Sequence, residues 1–493
     1  MQRIMISMIV LAVVSASVAH SQDLAASEEA RAKLSQAVEK DRRELTGSVQ
    51  DLVRIKSIKG DPQPGAPFGQ GPAHALVKAL NIATELGFNA TNMDGYIGYA
   101  EYGQGESYVG VLAHLDVVPE GDGWTYPPYA AEIHQGRIYG RGAVDDKGPA
   151  MASLYGLKAL KDSGLPISKR VRIIFGTTEE TGIDDVVYYL QHEKTPVAGF
   201  TPDSHFPVVY AEKGSANFRL IQDLTNMSAG IRVLSIQGGT ASNSVPDEAS
   251  AEISTGDTVH LIKSCQSFAS STGYQLTAEE KGGNVLVNSK GLGAHGSEPE
   301  KGKNAAMQLL AFLGTLGLGK SDLAKAIEFF NSRVGMETDG KSFGVAMRDN
   351  ISGNLTFNVG KINATLDKIV FDLNLRYPVT YKLDDIMKPF NRTIAGTGFS
   401  LEVTRNQNPL YFPMDSLLVR TLLKVYNDQT GQNGKPLAVG GRTYASLMPN
   451  MVGFGPIFPN QPMREHKPDE YISVDEMVLI AKIYAQAIYE LAK

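Results

Sequence analysis

The chain has almost no cysteine. Cys265 is the only one in 493 residues, so no intrachain disulfide can form, and a lone thiol is a poor start for a metal site. Stability must come from apolar cores, for which 42% hydrophobic residues suffice, with or without bound metal. Positive charge is not in excess either. The formal net charge is −6 with both signs mixed along the chain, which argues against a nucleic-acid partner or a basic membrane-binding surface. No repeat of fixed period and no low-complexity tract interrupts the sequence. The apolar run Ile4–Val18 is too short for a comfortable membrane span. With Arg3 before it and small residues after it, residues 1–21 read as a secretory leader, cleaved after Ala19 or Ser21. No cysteine adjoins that point, as a lipoprotein would need. The mature chain is expected to be exported, to a bacterial periplasm, and free of the membrane once the leader is gone.

What is present is a series of apolar segments that end in potential metal ligands. Tyr108 to Ala113 is a short apolar strand running into His114-Leu115-Asp116. Residues two apart on an extended segment share a face, so the Asp116 carboxylate is expected to hold the His114 imidazole. About thirty residues on, Gly140-Arg141-Gly142-Ala143-Val144-Asp145-Asp146-Lys147-Gly148-Pro149 places two carboxylates where a turn becomes a helix. Val171 to Phe175 is a second apolar strand, read as ending in Glu179-Glu180. Val197 to Phe200 is a third, followed by Asp203. A lone His-x-Asp or Asp-Asp is more often structural, the latter a helix cap. Successive segments that each finish in His, Asp or Glu point instead to an active site at the carboxyl ends of an open α/β sheet.

These segments resemble the co-catalytic zinc metallopeptidase family of aminoacylases, carnosinases and carboxypeptidase G. The stretches HLDVVPEGDGW, GRGAVDDKGP, TTEETG and TPDSHFP are most similar to its dipeptidase V (Xaa-His dipeptidase) branch. The resemblance spans nearly all of the chain after the leader. It implies an α/β catalytic domain, a mixed sheet flanked by helices, with an inserted α+β lid domain. It also implies two zinc ions, replaceable by cobalt or manganese. His114 and Asp203 would hold one ion and Glu180 and His466 the other, with Asp145 bridging. Asp116 would orient His114, and Glu179 would be the general base. The peptide bond after Asp145 is cis in this family. In the lid, the turn Gly293-Ala294-His295-Gly296-Ser297 would bring His295 to the carbonyl under attack. Asn243, in Asn243-Ser244-Val245-Pro246, and Arg376 would grip the substrate's C-terminal carboxylate. The chain departs from the branch at Gly440-Gly441-Arg442-Thr443-Tyr444-Ala445-Ser446. Arg442 has entered before Thr443, and Ser446 stands where a basic residue is usual. Arg442 is therefore a candidate substrate contact, or else a loop arginine with no ligand role.

Periodicity and breakers outline the domains. Residues 22–214 and 406–493 are read as the two parts of the catalytic domain, and 215–405 as the insertion. Asp23 to Ile58 has the spacing of one or two charged surface helices. Pro72 to Leu86 is amphipathic and stops at Gly87. Gln135-Gly136 suggests a hairpin turn. Helices are expected over Pro149 to Ser163, Lys303 to Leu316, Asp415 to Gln429 and Val474 to Ala492. Strands are expected over Ser215 to Asp223, Leu355 to Ile362 and Ile369 to Arg376. The expected activity is hydrolysis of unblocked dipeptides by a monomer, since the long lid should complete the site within one chain. The alternatives are an N-acyl amino acid deacylase on the same metal core, or a binding protein on an inactive scaffold.

Overall fold

A computed structural model describes residues 27–226 and 230–493. The leader, residues 1–21, lies outside the described residues. Among the described residues no helix is long and apolar enough to cross a membrane. The described residues divide into two compact units, one drawn from 27–210, 412–437 and 443–493, the other from 211–226, 230–411 and 438–442.

The first unit is built on a mixed sheet. Six neighbouring strands of this sheet run in the order Asn89–Met93, Ile97–Tyr102, Arg170–Gly176, Tyr108–His114, Ala198–Thr201, Met451–Gly453. The last four of these run parallel to one another. Parallel strands are covered on both faces and so read as continuous apolar runs. Tyr108–His114 is buried at every position. Because His114 pairs with Gly176 and Gly453 with Thr201, the carboxyl ends of the parallel strands share one edge.

Helices cover the sheet. Lys147–Ser163 is closed by Gly164 at φ 64°, a left-handed position that suits glycine. It packs on the final helix, Val474–Ala492, where a Cβ on Gly156 would sit 3.0 Å from the Ala485 nitrogen. Ser473 caps the final helix by accepting from the Glu476 amide. Near the N-terminus, a helix over 27–40 and another, Arg42–Val53, bury an apolar stripe that includes Leu45, Val49 and Leu52. Each such buried side chain contributes about 1.5–3 kcal/mol. Gln135 and Gly136, both at positive φ, turn the strand Glu132–His134 back on Arg137–Tyr139. Tyr471–Ser473 pairs with the other side of Arg137–Tyr139.

The second unit is α+β. Its eight-stranded antiparallel sheet runs Gln275–Lys281, Asn284–Lys290, Glu248–Ser254, Arg232–Gly238, Thr356–Ala364, Lys368–Tyr377, Gly214–Asp223, Ser400–Gln407. Gly214–Asp223 alternates buried and half-buried positions, as expected for a sheet with one face on a core. That core includes Phe330 stacked on Phe371 at 3.5 Å between ring centroids. The helix expected over Lys303 to Leu316 is Ala305–Leu313. Asn304 accepts from the Met307 amide and fixes its start.

Candidate functional site

His114 closes its strand with the side chain 1% exposed. Its Nδ1 lies 3.0 Å from the main-chain carbonyl of Asp116. A carbonyl only accepts, so Nδ1 carries the proton and Nε2 presents its lone pair. That Nε2 is 2.9 Å from Asp145 Oδ1 and 3.9 Å from Asp203 Oδ2. A lone pair facing a carboxylate so closely needs a proton or a metal cation between them. His466, at φ 62°, brings its Nε2 to 3.0 Å from Asp145 Oδ2 and 3.2 Å from Glu180. The two oxygens of one carboxylate therefore face two different histidines.

The donors group into sets able to hold an ion. Atoms of His114, Asp145 and Glu180 lie within 4.8 Å of one another, and so do atoms of His114, Glu179 and Asp203. The electrostatics of the group carry the same message. Burial, then the charge of Asp145, push the Glu180 carboxyl up to about 7, against the pull of His466. Burial and Asp145 likewise raise Asp203 well above its ordinary value. Asp145 itself is held low. Burial would raise it, but its hydrogen bonds to His114 and His466 outweigh that. Both histidines are raised in turn, burial being outweighed by their carboxylate partners. Carboxylates that disfavour each other's charge, with imidazoles between them, form a donor set that divalent cations fit.

Two details differ from the sequence reading. Glu179 and Glu180 do not end a strand. The strand stops at Gly176, and both glutamates sit in the turn that follows. Their separation therefore comes from the turn and not from strand alternation. Glu180 meets His466, whereas Glu179 lies with His114 and Asp203. The Asp116 carboxylate faces His114 as expected, its Oδ1 3.5 Å from Nδ1 and raising the imidazole's pKa, but it is not the nearest acceptor and has a second task. It also accepts from the amides of Glu179 at 3.0 Å and Glu180 at 3.2 Å. Asp116 lies past the strand end, so its backbone carbonyl turns to the imidazole and its side chain to those amides.

Several supporting residues were not singled out from the sequence. Asp185, fully buried, accepts from the Thr177 and Thr178 amides at 2.7 and 3.1 Å and from the Tyr444 hydroxyl. It anchors the start of the turn that carries both glutamates. The Asp145–Asp146 peptide bond is cis, as the resemblance implied. Glu470 Oε1 accepts from the amides of Val144 at 3.0 Å and Asp145 at 3.3 Å. Its Oε2 pairs with Arg141 Nη1 at 2.6 Å, and both side chains are almost fully buried. The available signal was an arginine inside a glycine-rich turn, which if buried needs a carboxylate partner.

In the second unit, two loops bearing candidate residues are joined to each other. The Gly296 amide donates to the Asn243 carbonyl at 2.7 Å, and Ser244 pairs with His295. Asn358 Nδ2 donates to the carbonyls of Ser242 and Ser244, both at 2.9 Å, and so clamps the loop on either side of Asn243. His295 Nδ1 is 2.6 Å from Ser297 Oγ. Arg376, 5% exposed, donates from Nε to Asn374 Oδ1 at 3.0 Å and from Nη1 to the Gly440 carbonyl at 3.3 Å. Burial, then the charges of Arg442 and Arg405, bring its guanidinium down to about 10. Arg442 donates from Nη1 to Gln407 Oε1.

Comparison with known proteins adds an independent line. The sequence profile of peptidase family M20/M25/M40 matches residues 110–490. The Beta-Ala-Xaa dipeptidase of Lactobacillus delbrueckii subsp. lactis is 36% identical over 442 residues, covering 87% of this chain and 91% of that protein. YtjP of Bacillus subtilis (strain 168), which carries a dipeptidase name, is 39% identical over 455 residues, covering 91% and 97%. Among solved structures, human carnosine dipeptidase 1 has a similar fold, with a TM-score of 0.55 at 14% identity over 94% of this chain and 99% of its own. Aminoacylhistidine dipeptidase from Vibrio alginolyticus gives 0.52 at 14% identity, covering 90% and 96%.

Proposed function

The chain belongs to peptidase family M20/M25/M40, a family of hydrolases, and from that premise we propose that it is an exported two-metal dipeptidase acting on unblocked dipeptides. One observation carries the reading: the two oxygens of Asp145 face the Nε2 atoms of His114 and His466 at 2.9 and 3.0 Å. A shared carboxylate flanked by two imidazoles suits a pair of zinc ions. His114, Asp145 and Asp203 would hold one, and Asp145, Glu180 and His466 the other. When bound, such ions polarise the scissile carbonyl and lower the pKa of an attacking water.

The remaining steps belong to the chain's own residues. Glu179, kept in place by the Asp116 carboxylate on its amide, takes one proton from the water as its oxygen bonds to the carbonyl carbon. It returns that proton to the amine nitrogen as the C–N bond breaks. His295 is assigned to stabilise the developing oxyanion. Asn243 and Arg376 are assigned to the substrate's C-terminal carboxylate, for which a guanidinium is well shaped. Export follows from the leader-like residues 1–21, and detection of the mature chain outside the cytoplasm, starting near residue 20 or 22, tests it.

Purified protein should hydrolyse Ala-Ala, lose that activity to a chelator and regain it with zinc, cobalt or manganese. Hydrolysis of N-acetyl-alanine in preference to Ala-Ala would replace the dipeptidase reading with a deacylase on the same metal core.

A further inference from the structure

The sheet of the second unit carries an ordered polar patch. Its register aligns Arg376, Ser215 and Gln407 across three neighbouring strands, and Asn374, Asn217 and Arg405 in the next row on the same face. The other face of these strands supplies Ala216, Phe218, Leu373 and Leu375 to the apolar core. Polar side chains as buried as Asn374 at 1%, Arg376 at 5% and Gln407 at 7% are costly to keep unless they serve one another or a ligand.

Here they first serve one another. Asn374 gives its oxygen to Arg376 Nε at 3.0 Å and its amide nitrogen to Asn217 Oδ1 at 2.5 Å. Arg376 is thus fixed through Nε and Nη1, and its Nη2 makes no hydrogen bond among the described residues. Thr356, paired with Arg376 on the adjacent strand, has a buried hydroxyl with no partner among the described residues. Arg442 is tied to Gln407, two strands from Arg376, a backbone spacing of about 10 Å. Arginine side chains close much of that gap. The charges that bear on Arg376 include the cations Arg442, Arg405 and Lys213, with Glu212 the carboxylate opposing them. Three guanidiniums on one patch form a place for more than one negative charge.

We infer that this patch selects substrates whose C-terminal residue is itself acidic. Arg376 takes the α-carboxylate, and Arg442 with Arg405 takes the side-chain carboxylate of an aspartate or glutamate. The inference deepens the dipeptidase reading and rests on it. It also gives a purpose to Arg442, which stands where the resembling branch has no arginine.

The test compares kcat/KM for Ala-Glu and its uncharged isostere Ala-Gln, with Ala-Ala as reference, in the wild type, Arg442→Met and Arg405→Met. The wild type should favour Ala-Glu over Ala-Gln by about tenfold or more, the scale of a charge-assisted contact. Each variant should bring the two substrates to within about threefold of each other, and added salt should shrink the wild-type ratio. Cleavage of Ala-Ala with Ala-Gln hydrolysed as well as Ala-Glu would overturn the inference and leave the dipeptidase reading standing. Failure to cleave any of the three would overturn both. A wild-type preference that persists unchanged in both variants would remove it from these arginines. Should a variant not fold, the wild-type ratio decides.

Discussion

Replacing Glu470 by alanine should damage both stability and metal binding. The carboxylate is 1% exposed, it pairs with Arg141 at 2.6 Å, and it accepts from the amides of Val144 and Asp145. Removing one partner of a buried pair costs roughly 3–5 kcal/mol. Two features place this case at the lower end. Arg141 keeps weaker contacts to the carbonyls of Pro119, Glu120 and Lys467 at 3.2–3.4 Å. Burial and the charge of Asp145 also push Glu470 up to about 7 in spite of Arg141, so the ion pair is not at full strength. About 3 kcal/mol is expected, or a fall in Tm of roughly 6–12 °C for a unit of this size. The measurement is thermal and urea unfolding of metal-stripped protein, followed by zinc titration. Zinc affinity should fall as well, because the Asp145 amide loses its acceptor. Glu470→Gln keeps an acceptor for both amides and should hold zinc better than the alanine variant. An alanine variant that melts within about 1 °C of the wild type and binds zinc normally would refute the reasoning.

The two neighbouring glutamates should separate on substitution. Glu179→Gln should retain metal and lower kcat by about a hundredfold or more, whereas Glu180→Gln should lose metal and be partly rescued by added zinc. The opposite pattern would exchange their roles. Cys265 is fully buried, and burial raises its thiol to about 11. Little thiolate is then present at neutral pH, so a thiol reagent should label the native chain far more slowly than the urea-unfolded one, and equal rates would contradict its place in the core. We expect a monomer to be active, so specific activity should stay constant on dilution from micromolar to nanomolar chain. A loss on dilution would mean that the working site needs a second copy.

Local signals carried much of the fold. The final helix was legible residue for residue because its apolar stripe and Ser473 cap agree. The Gln135-Gly136 hairpin was legible because Gly136 supplies the positive φ that a tight turn between two apolar runs needs. His114 and Asp203 stood out because apolar runs end at or just before them, whereas His466, in a charged loop, was reached only through the family resemblance. What failed depended on distance or register. Arg141 and Glu470 are 329 positions apart, and Asp185 and Tyr444 are 259 apart, so no local pattern links them. Thr177-Thr178 has the composition of a strand continuing to Glu179 and Glu180, but the Asp185 carboxylate draws the Thr177 and Thr178 amides into a turn. The polar patch around Arg376 required the pairing register of three strands, which alternation along any single strand does not reveal.

In the proposed dipeptidase, Asp145 is shared by two ions held between His114 and His466. Elemental analysis of purified protein, alongside dipeptide turnover, tests it most directly. About two zinc or similar divalent ions per chain are expected in the wild type, about one in His466→Ala, and activity that a chelator abolishes. Protein with no tightly bound metal that cleaves dipeptides unaffected by the chelator would contradict it.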